Sequence, residues 1–191
     1  MAIPLMKGGN ISLSKTDPSL KNIIAGLGWD VREIDGETFD LDASFLMVQA
    51  NGKARSDRDF IYYHQKDSAC GAVHHTGDNR TGAGDGDDES MHVFLDKVPA
   101  EIHKLIVCVS IYDADKKKQN FGQVLNAFIR LVNKDTLQEI TRYDLSENAS
   151  TQIAMIFGEI YRYQGEWKFK AVGQGVKGGL TELIRMHGID A

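Results

Sequence analysis

The chain has 191 residues, 42% apolar and 26% charged, the balance of a globular protein with a core of its own. Its formal charge is -5 and it shows no basic stripe, which argues against direct nucleic-acid binding. Its longest apolar run, Leu105 to Val109, is far too short for a transmembrane segment, and the opening MAIPLMKGGNISLSK has no apolar core of a secretory signal, so a cytoplasmic location is expected.

In chain order, strand signals dominate. SFLMVQA (44–50) is an apolar run ending at the turn Asn51-Gly52, and DFIYYH (59–64) is rich in aromatics. SMHVFL (90–95) sets Met91, Val93 and Leu95 against His92 and Phe94. KLIVCVSIYD (104–113) reads as the clearest buried strand. NAFIRLVN and EITRYDL flank a turn at Asn133-Lys134-Asp135, and AMIFGEIYRYQGEWKFKAV reads as two strands joined near Gln164-Gly165. These are short apolar or period-two runs bounded by Gly, Asn and Asp. Helical signals are weaker: one turn in NFGQVLNAF, and a short amphipathic helix in LTELIRMHG stopped by Gly188. Evenly spaced short strands without long helices predict an all-β, antiparallel β-sandwich with short helical segments. No repeat or linker divides the chain, so residues 1–191 read as a single domain.

The charge is uneven. Residues 78–89 hold five acids and one base, Arg80, a net -4; the other 22 acids and 21 bases nearly cancel. Crowded carboxylates repel and raise one another's pKa, a cost that water relieves in a solvated turn and a hard cation relieves in a cage. Calcium takes six to eight oxygens from carboxylates, carbonyls and waters. The stretch HTGDNRTGAGDGDDES offers Asp78, Asp85, Asp87, Asp88 and Glu89, with Asn79, Thr81, Gly84 and Gly86 as further oxygen donors on a Gly-rich backbone. It is not an EF-hand: counted from Asp78, positions three, five and six are Arg80, Gly82 and Ala83, where that loop needs acids or amides and a glycine.

Other acids extend the candidate set. WDVREIDGETFDLDAS brings Asp30, Asp40 and Asp42; on a strand the last two leave one face while Leu41 enters the core. Asp57 and Asp59 repeat the spacing. Loops at one end of a sandwich cluster, so these segments could share a rim with the acidic stretch.

Other motifs carry less. GQGVKG (173–178) has dinucleotide-fold spacing but no second parallel strand and no acid about twenty residues on, so it reads as a tight turn or bulge. The six histidines are scattered without a zinc motif, and adjacent His74 and His75 point to opposite faces of any strand. Cys108 reads as a core residue and Cys70 as a loop residue; a disulfide between them is not expected in a reducing compartment. No nucleophile elbow or Ser/His/Asp set emerges.

The blocks LMKGGNISLSK, GLGWD, FDLDAS, SDRDFIYY, HTGDNRTGAGDGDDE, QNFGQVLNAFIRLV, RYDLSENAS, GEIYR and GEWKFKAVGQGVKGGL, in this order from residue 5 to about 188, resemble the TerD family of tellurium-resistance and stress-response proteins. The resemblance implies a β-sandwich binding one or two calcium ions through acidic loops clustered at one end. It implies bacterial, mostly cytoplasmic proteins, some peripheral at the inner membrane with a membrane-bound stress protein as partner. It leaves the biochemical activity open. Two functions are compatible with the residues: a calcium-responsive module that meets a protein partner or a membrane surface, and a metal-dependent enzyme acting on an anionic, phosphoester-like substrate. Carboxylates and backbone, without a general base or nucleophile beside them, favour the module and predict no enzyme activity.

Overall fold

The computed structural model describes residues 2–30, 33–34, 37–77, 86–145 and 151–190. Their strands are β1 (Ile3–Leu5), β2 (Asn10–Ser12), β3 (Asn22–Gly28), β4 (Glu33–Ile34), β5 (Glu37–Thr38), β6 (Leu41–Gln49), β7 (Phe60–Ile61), β8 (Val73–His75), β9 (Glu89–Phe94), β10 (Ile102–Ile111), β11 (Phe128–Asn133), β12 (Glu139–Asp144), β13 (Ala154–Tyr163) and β14 (Glu166–Gly175). The helices are short: α1 (Leu13–Thr16), α2 (Ala114–Lys117) and α3 (Gly179–Met186).

Two six-stranded sheets form the sandwich. The first runs β1-β12-β11-β3-β9-β8, the second β2-β14-β13-β10-β6-β7, and β4 and β5 make a separate two-stranded ribbon. Pairing is antiparallel except between β1 and β12, which are parallel. The first strands thus edge both layers: β1 closes the first sheet against Thr141–Tyr143, and β2 closes the second against Lys168–Lys170.

Period-two patterning explains which face is inside. Met91 and Val93 of β9, Ile23, Ala25 and Leu27 of β3, and Leu41, Ala43, Phe45 and Met47 of β6 all enter one core between the sheets. Phe45 to Val48 of β6 and Leu105 to Val109 of β10 are unbroken apolar runs because their outer faces are covered too. Leu46, Val48, Ile106 and Cys108 pack there under Leu183 and Ile184 of α3. Cys108 is a buried thiol, its pKa raised by burial and by Glu159, and both cysteines are free. Among the described residues no helix is long and apolar enough to cross a membrane.

The GQGVKG stretch is a bulge, as its spacing suggested. Gly158 pairs Ala171 while Ile156 pairs Gln174, so β14 carries an extra residue here. Gly173 takes φ +60°, and the Tyr143 hydroxyl occupies the place a Cβ would need.

One expected strand is shorter than its aromatics suggested. Only Phe60 and Ile61 pair with β6; Asp57–Asp59 form a 3-10 turn capped by the Ser56 hydroxyl. Asp57 and Asp59 therefore do not leave one strand face as a pair.

A candidate cation site at the acidic end

The register of β3 on β9 sets the end of β3 beside the start of β9, that of β6 on β10 sets the start of β6 beside the end of β10, and the Ala43–Glu89 contact brings the two pairs together at one end of the sandwich. The described part of the acidic stretch, Gly86 to Glu89, enters β9 here. Its three carboxylates are each anchored to a different element.

Asp87 reaches across the outer face of the first sheet to Arg130 of β11. The guanidinium donates to it twice, from Nε at 2.7 Å and Nη2 at 3.2 Å, and to Glu139 from Nη1 at 3.0 Å. Gly26 makes this possible: a Cβ there would fall inside the Asp87 carboxylate. Two donors matched to two carboxylate oxygens form the strong, geometrically specific kind of ion pair.

Asp88 turns toward the end of β3. Its Oδ2 accepts the Trp29 backbone N–H at 2.8 Å, and its own N–H donates to Leu27 O. Burial pushes the Asp88 carboxyl above its ordinary pKa; the Trp29 N–H opposes this, and the nearby Asp87 and Asp30 charges add to it. Asp30 is placed by its N–H to Leu125 O and by the Asn126 amide on its carboxylate.

Glu89 points inward, between the sheets. Its Oε2 accepts the Ala43 backbone N–H of the other sheet at 2.6 Å and lies 3.9 Å from His75 Nε2. The His75 ring is buried, and its Nδ1 accepts the Gly77 N–H, which puts the proton of the neutral ring on Nε2, facing Glu89.

Asp42 flanks Ala43. Leu41 enters the core and Asp42 leaves on the opposite face, as the spacing predicted, but Asp40 and Asp42 are both buried rather than rimming the surface. Asp42 lines a cleft of about 430 Å³ on the outer face of the second sheet, beside Tyr62, Tyr112, Asp113 and the start of α3.

The structure thus gathers Asp30, Asp40, Asp42, Gly86, Asp87, Asp88 and Glu89 at one end. Asp78, Asn79, Thr81, Gly84 and Asp85 lie outside the described residues. Asp57 and Asp59 are elsewhere: the pairing of Ile61 with Phe45 runs their turn toward the far end of β6. There Asp59 is buried and takes Arg55 Nη2 at 2.6 Å and Nε at 2.9 Å, while Arg55 Nη1 reaches Glu101. Their charge serves a separate ion-pair network, which sequence spacing did not reveal because Arg55 lies four residues from Asp59 on an irregular turn. Sequence reasoning also missed Arg130 and His75; each is placed by strand register, not by a local motif.

Every donor gathered here except His75 is an oxygen, and several are already engaged by backbone N–H groups or by Arg130. Among the described residues no group of three or more His, Cys, Asp or Glu side chains stands at metal-binding spacing. Asp87, Asp88 and Glu89 fix the C-terminal end of the acidic stretch to β11, to the end of β3 and to β6.

The TerD domain model matches residues 1–187, and the chain belongs to this family. It is 58% identical over 191 residues to tellurium resistance protein TerD of Serratia marcescens, covering all of both chains. It is 49% identical over 190 residues to general stress protein 16U of Bacillus subtilis, covering 99% of this chain and 98% of that one. The family is one of tellurium-resistance and stress-response proteins. A crystal structure of a homologue of telluride resistance protein (TerD) from Streptomyces coelicolor superposes with a TM-score of 0.72 at 23% identity, over 90% of this chain and 99% of that one, and supports the sandwich fold.

Proposed function

We propose that the chain is a calcium-binding stress-response module whose acidic end, once loaded, meets a protein partner or a membrane surface. The observation that carries this reading is the environment of Asp88: a carboxylate partly withdrawn from water and set beside Asp87 and Asp30, with the Trp29 backbone N–H opposing the strain. A hard cation relieves such a cluster, and the oxygen-rich donor set suits calcium. Asp30, Asp88 and Glu89 would hold one or two ions together with Asp78, Asp85 and the carbonyls between them, and Asp40 and Asp42 would stand behind. Asp87 would act through Arg130, fixing the loop and not supplying the ion. Loading would convert a patch near -4 into a nearly neutral, ordered surface, admitting an anionic partner or the inner face of a bacterial membrane, where a membrane-bound stress protein would dock.

The test is calorimetry and thermal melting with calcium and with chelator. Calcium at a hundredfold excess over Kd would add about 2.7 kcal/mol, or roughly 5–10 °C in melting temperature for a chain of this size. Magnesium would add less, because it demands a tight octahedron and keeps its waters. A flat trace at millimolar calcium with identical melting curves would overturn the proposal. Calcium-dependent hydrolysis of a phosphoester panel, lost in Asp88→Asn, would replace it with an enzyme.

A further inference from the structure

The outer face of the first sheet carries two histidines that the acidic end does not use. β8 pairs with β9 so that His74 lies directly opposite His92, and their ring centroids are 6.1 Å apart. The hydrogen bonds from Phe94 N to Ala72 O and from Thr76 N to Ser90 O flank this pair two residues to either side, which makes it a facing pair of the antiparallel ladder. Val73, His75, Met91 and Val93 take the inner face, so both rings project outward.

One ring is already oriented. His74 Nδ1 lies 2.7 Å from an Asp67 carboxylate oxygen, and Asp67 is itself bridged to His74 through the backbone. That bond requires the proton on Nδ1. In the neutral ring the lone pair then sits on Nε2, and a carboxylate holding the remote nitrogen is the arrangement that orients and strengthens metal-binding imidazoles. The opposing His92 is half-buried, and its pKa is lowered, chiefly by burial, then by Lys134 and His74, a direction that favours the neutral ring.

We propose that His74 and His92 form a two-imidazole binding site for a borderline divalent transition-metal ion such as zinc or copper, with Asp67 as the positioning carboxylate and water completing the coordination. Imidazole nitrogen suits such ions and not calcium, so the site is chemically separate from the acidic end. Two imidazoles sharing a tetrahedral ion at about 2.1 Å place their ring centres on the order of 5 Å apart, so a small side-chain rotation closes the observed spacing. His74 is 43% exposed and has room to make it. With two protein ligands the site is open and exchangeable, not a structural staple. The histidines are far apart in sequence, and only the register of β8 on β9 brings them together.

The experiment uses untagged protein in saturating calcium at neutral pH, titrated with zinc chloride by calorimetry and by proton NMR of the histidine rings. The expected result is one equivalent of zinc per chain, with the His74 and His92 resonances moving together. His74→Ala and His92→Gln would each weaken binding at least tenfold, and Asp67→Asn about tenfold, the usual effect of removing an orienting carboxylate. His103→Ala would change nothing. His74 sits on an edge strand, so its variant tests the site even if His92→Gln folds poorly. No heat and no ring shifts up to millimolar zinc, or zinc affinity unchanged in His74→Ala, would overturn the proposal. Calcium binding is measured separately and its outcome does not bear on this one.

Discussion

The Glu89 carboxylate of one sheet accepts the Ala43 backbone N–H of the other at 2.6 Å. The reason lies in the edge of the second sheet. β7 covers β6 only as far as Phe45, opposite Ile61; Ala43 keeps β10 on one side, at Val109, but among the described residues no strand residue pairs with it on the other. A buried N–H without an acceptor costs about 1–3 kcal/mol, and Glu89 supplies the acceptor from across the core. Glu89→Ala should therefore lower the unfolding free energy by that amount, read from the shift of the urea midpoint at unchanged slope, whereas Glu89→Gln, which keeps a carbonyl oxygen in reach, should lose less than half as much. Equal losses in the two variants would mean that charge and not the Ala43 contact is what matters.

The Asp87–Arg130 pair depends on an absent side chain. Gly26→Ala would push the Asp87 carboxylate off its seat and break both guanidinium contacts. The expected loss is about 1–3 kcal/mol, the usual cost of forcing a methyl into a filled space. Calcium affinity should fall as well, because the loop would no longer be pinned to β11. Arg130→Met should reproduce both effects; a Gly26→Ala protein that melts like the parent would show that the carboxylate has another seat.

Asp88 gives a pH signature whose sign can be stated. Its folded pKa is raised above the unfolded value, so the folded state holds that proton more tightly. Its contribution is thus most favourable in acid and is lost as pH rises through the window from about 4, the unfolded carboxyl value, up through the folded pKa. In chelator, Asp88→Asn should match the parent near pH 4 and become the more stable of the two toward neutrality, since the amide still offers an oxygen to the Trp29 N–H. In calcium the order should reverse. Denaturant titrations at pH 4 to 7.5 decide this, and a parent that outlasts Asp88→Asn in chelator at pH 7 would contradict it.

Asp59 provides the contrast. It is buried and holds Arg55 through both oxygens, at the end of β6 away from the calcium-binding candidate. Asp59→Asn should cost about 2–3 kcal/mol, less than a fully buried pair because Arg55 is partly exposed. The calcium-induced rise in melting temperature should be unchanged. A smaller rise in this variant would return Asp59 to the ion-binding set.

Much of the architecture is visible in the residues. The alternation Met91-His92-Val93, the run Leu105 to Val109 and the turn at Gln164-Gly165 each appear where period-two reading puts them, because one-face or two-face burial leaves a direct mark on composition. The edge strands β1, β2 and β8 leave almost none: three residues apiece carry too little pattern, and β1 is defined by where β12 runs. The acidic end was legible as charge but not as geometry. Spacing marked Asp40, Asp42, Asp87, Asp88 and Glu89 as one kind of residue. The fold gives them different duties, an ion pair for Asp87, a strand-end acceptor for Asp88 and a bridge between sheets for Glu89, because each duty is set by a partner far away in sequence. Asp57 and Asp59 shared the spacing of Asp40 and Asp42, yet a 3-10 turn and Arg55 sent them to another part of the molecule.

The N-terminal strands have a consequence for synthesis. β1 needs residues 141–143 as its neighbour and β2 needs residues 168–170, although residues 3–12 are made long before either. Neither strand can take its place while the ribosome is still translating the middle of the chain. Residues 3–12 must wait outside the growing sandwich, and the seams they form close only after residues 141–143 and 168–170 have followed. A ribosome paused before residue 140 would hold a nascent chain whose two sheets each lack an edge, open at the positions where pairing with a neighbouring nascent chain begins.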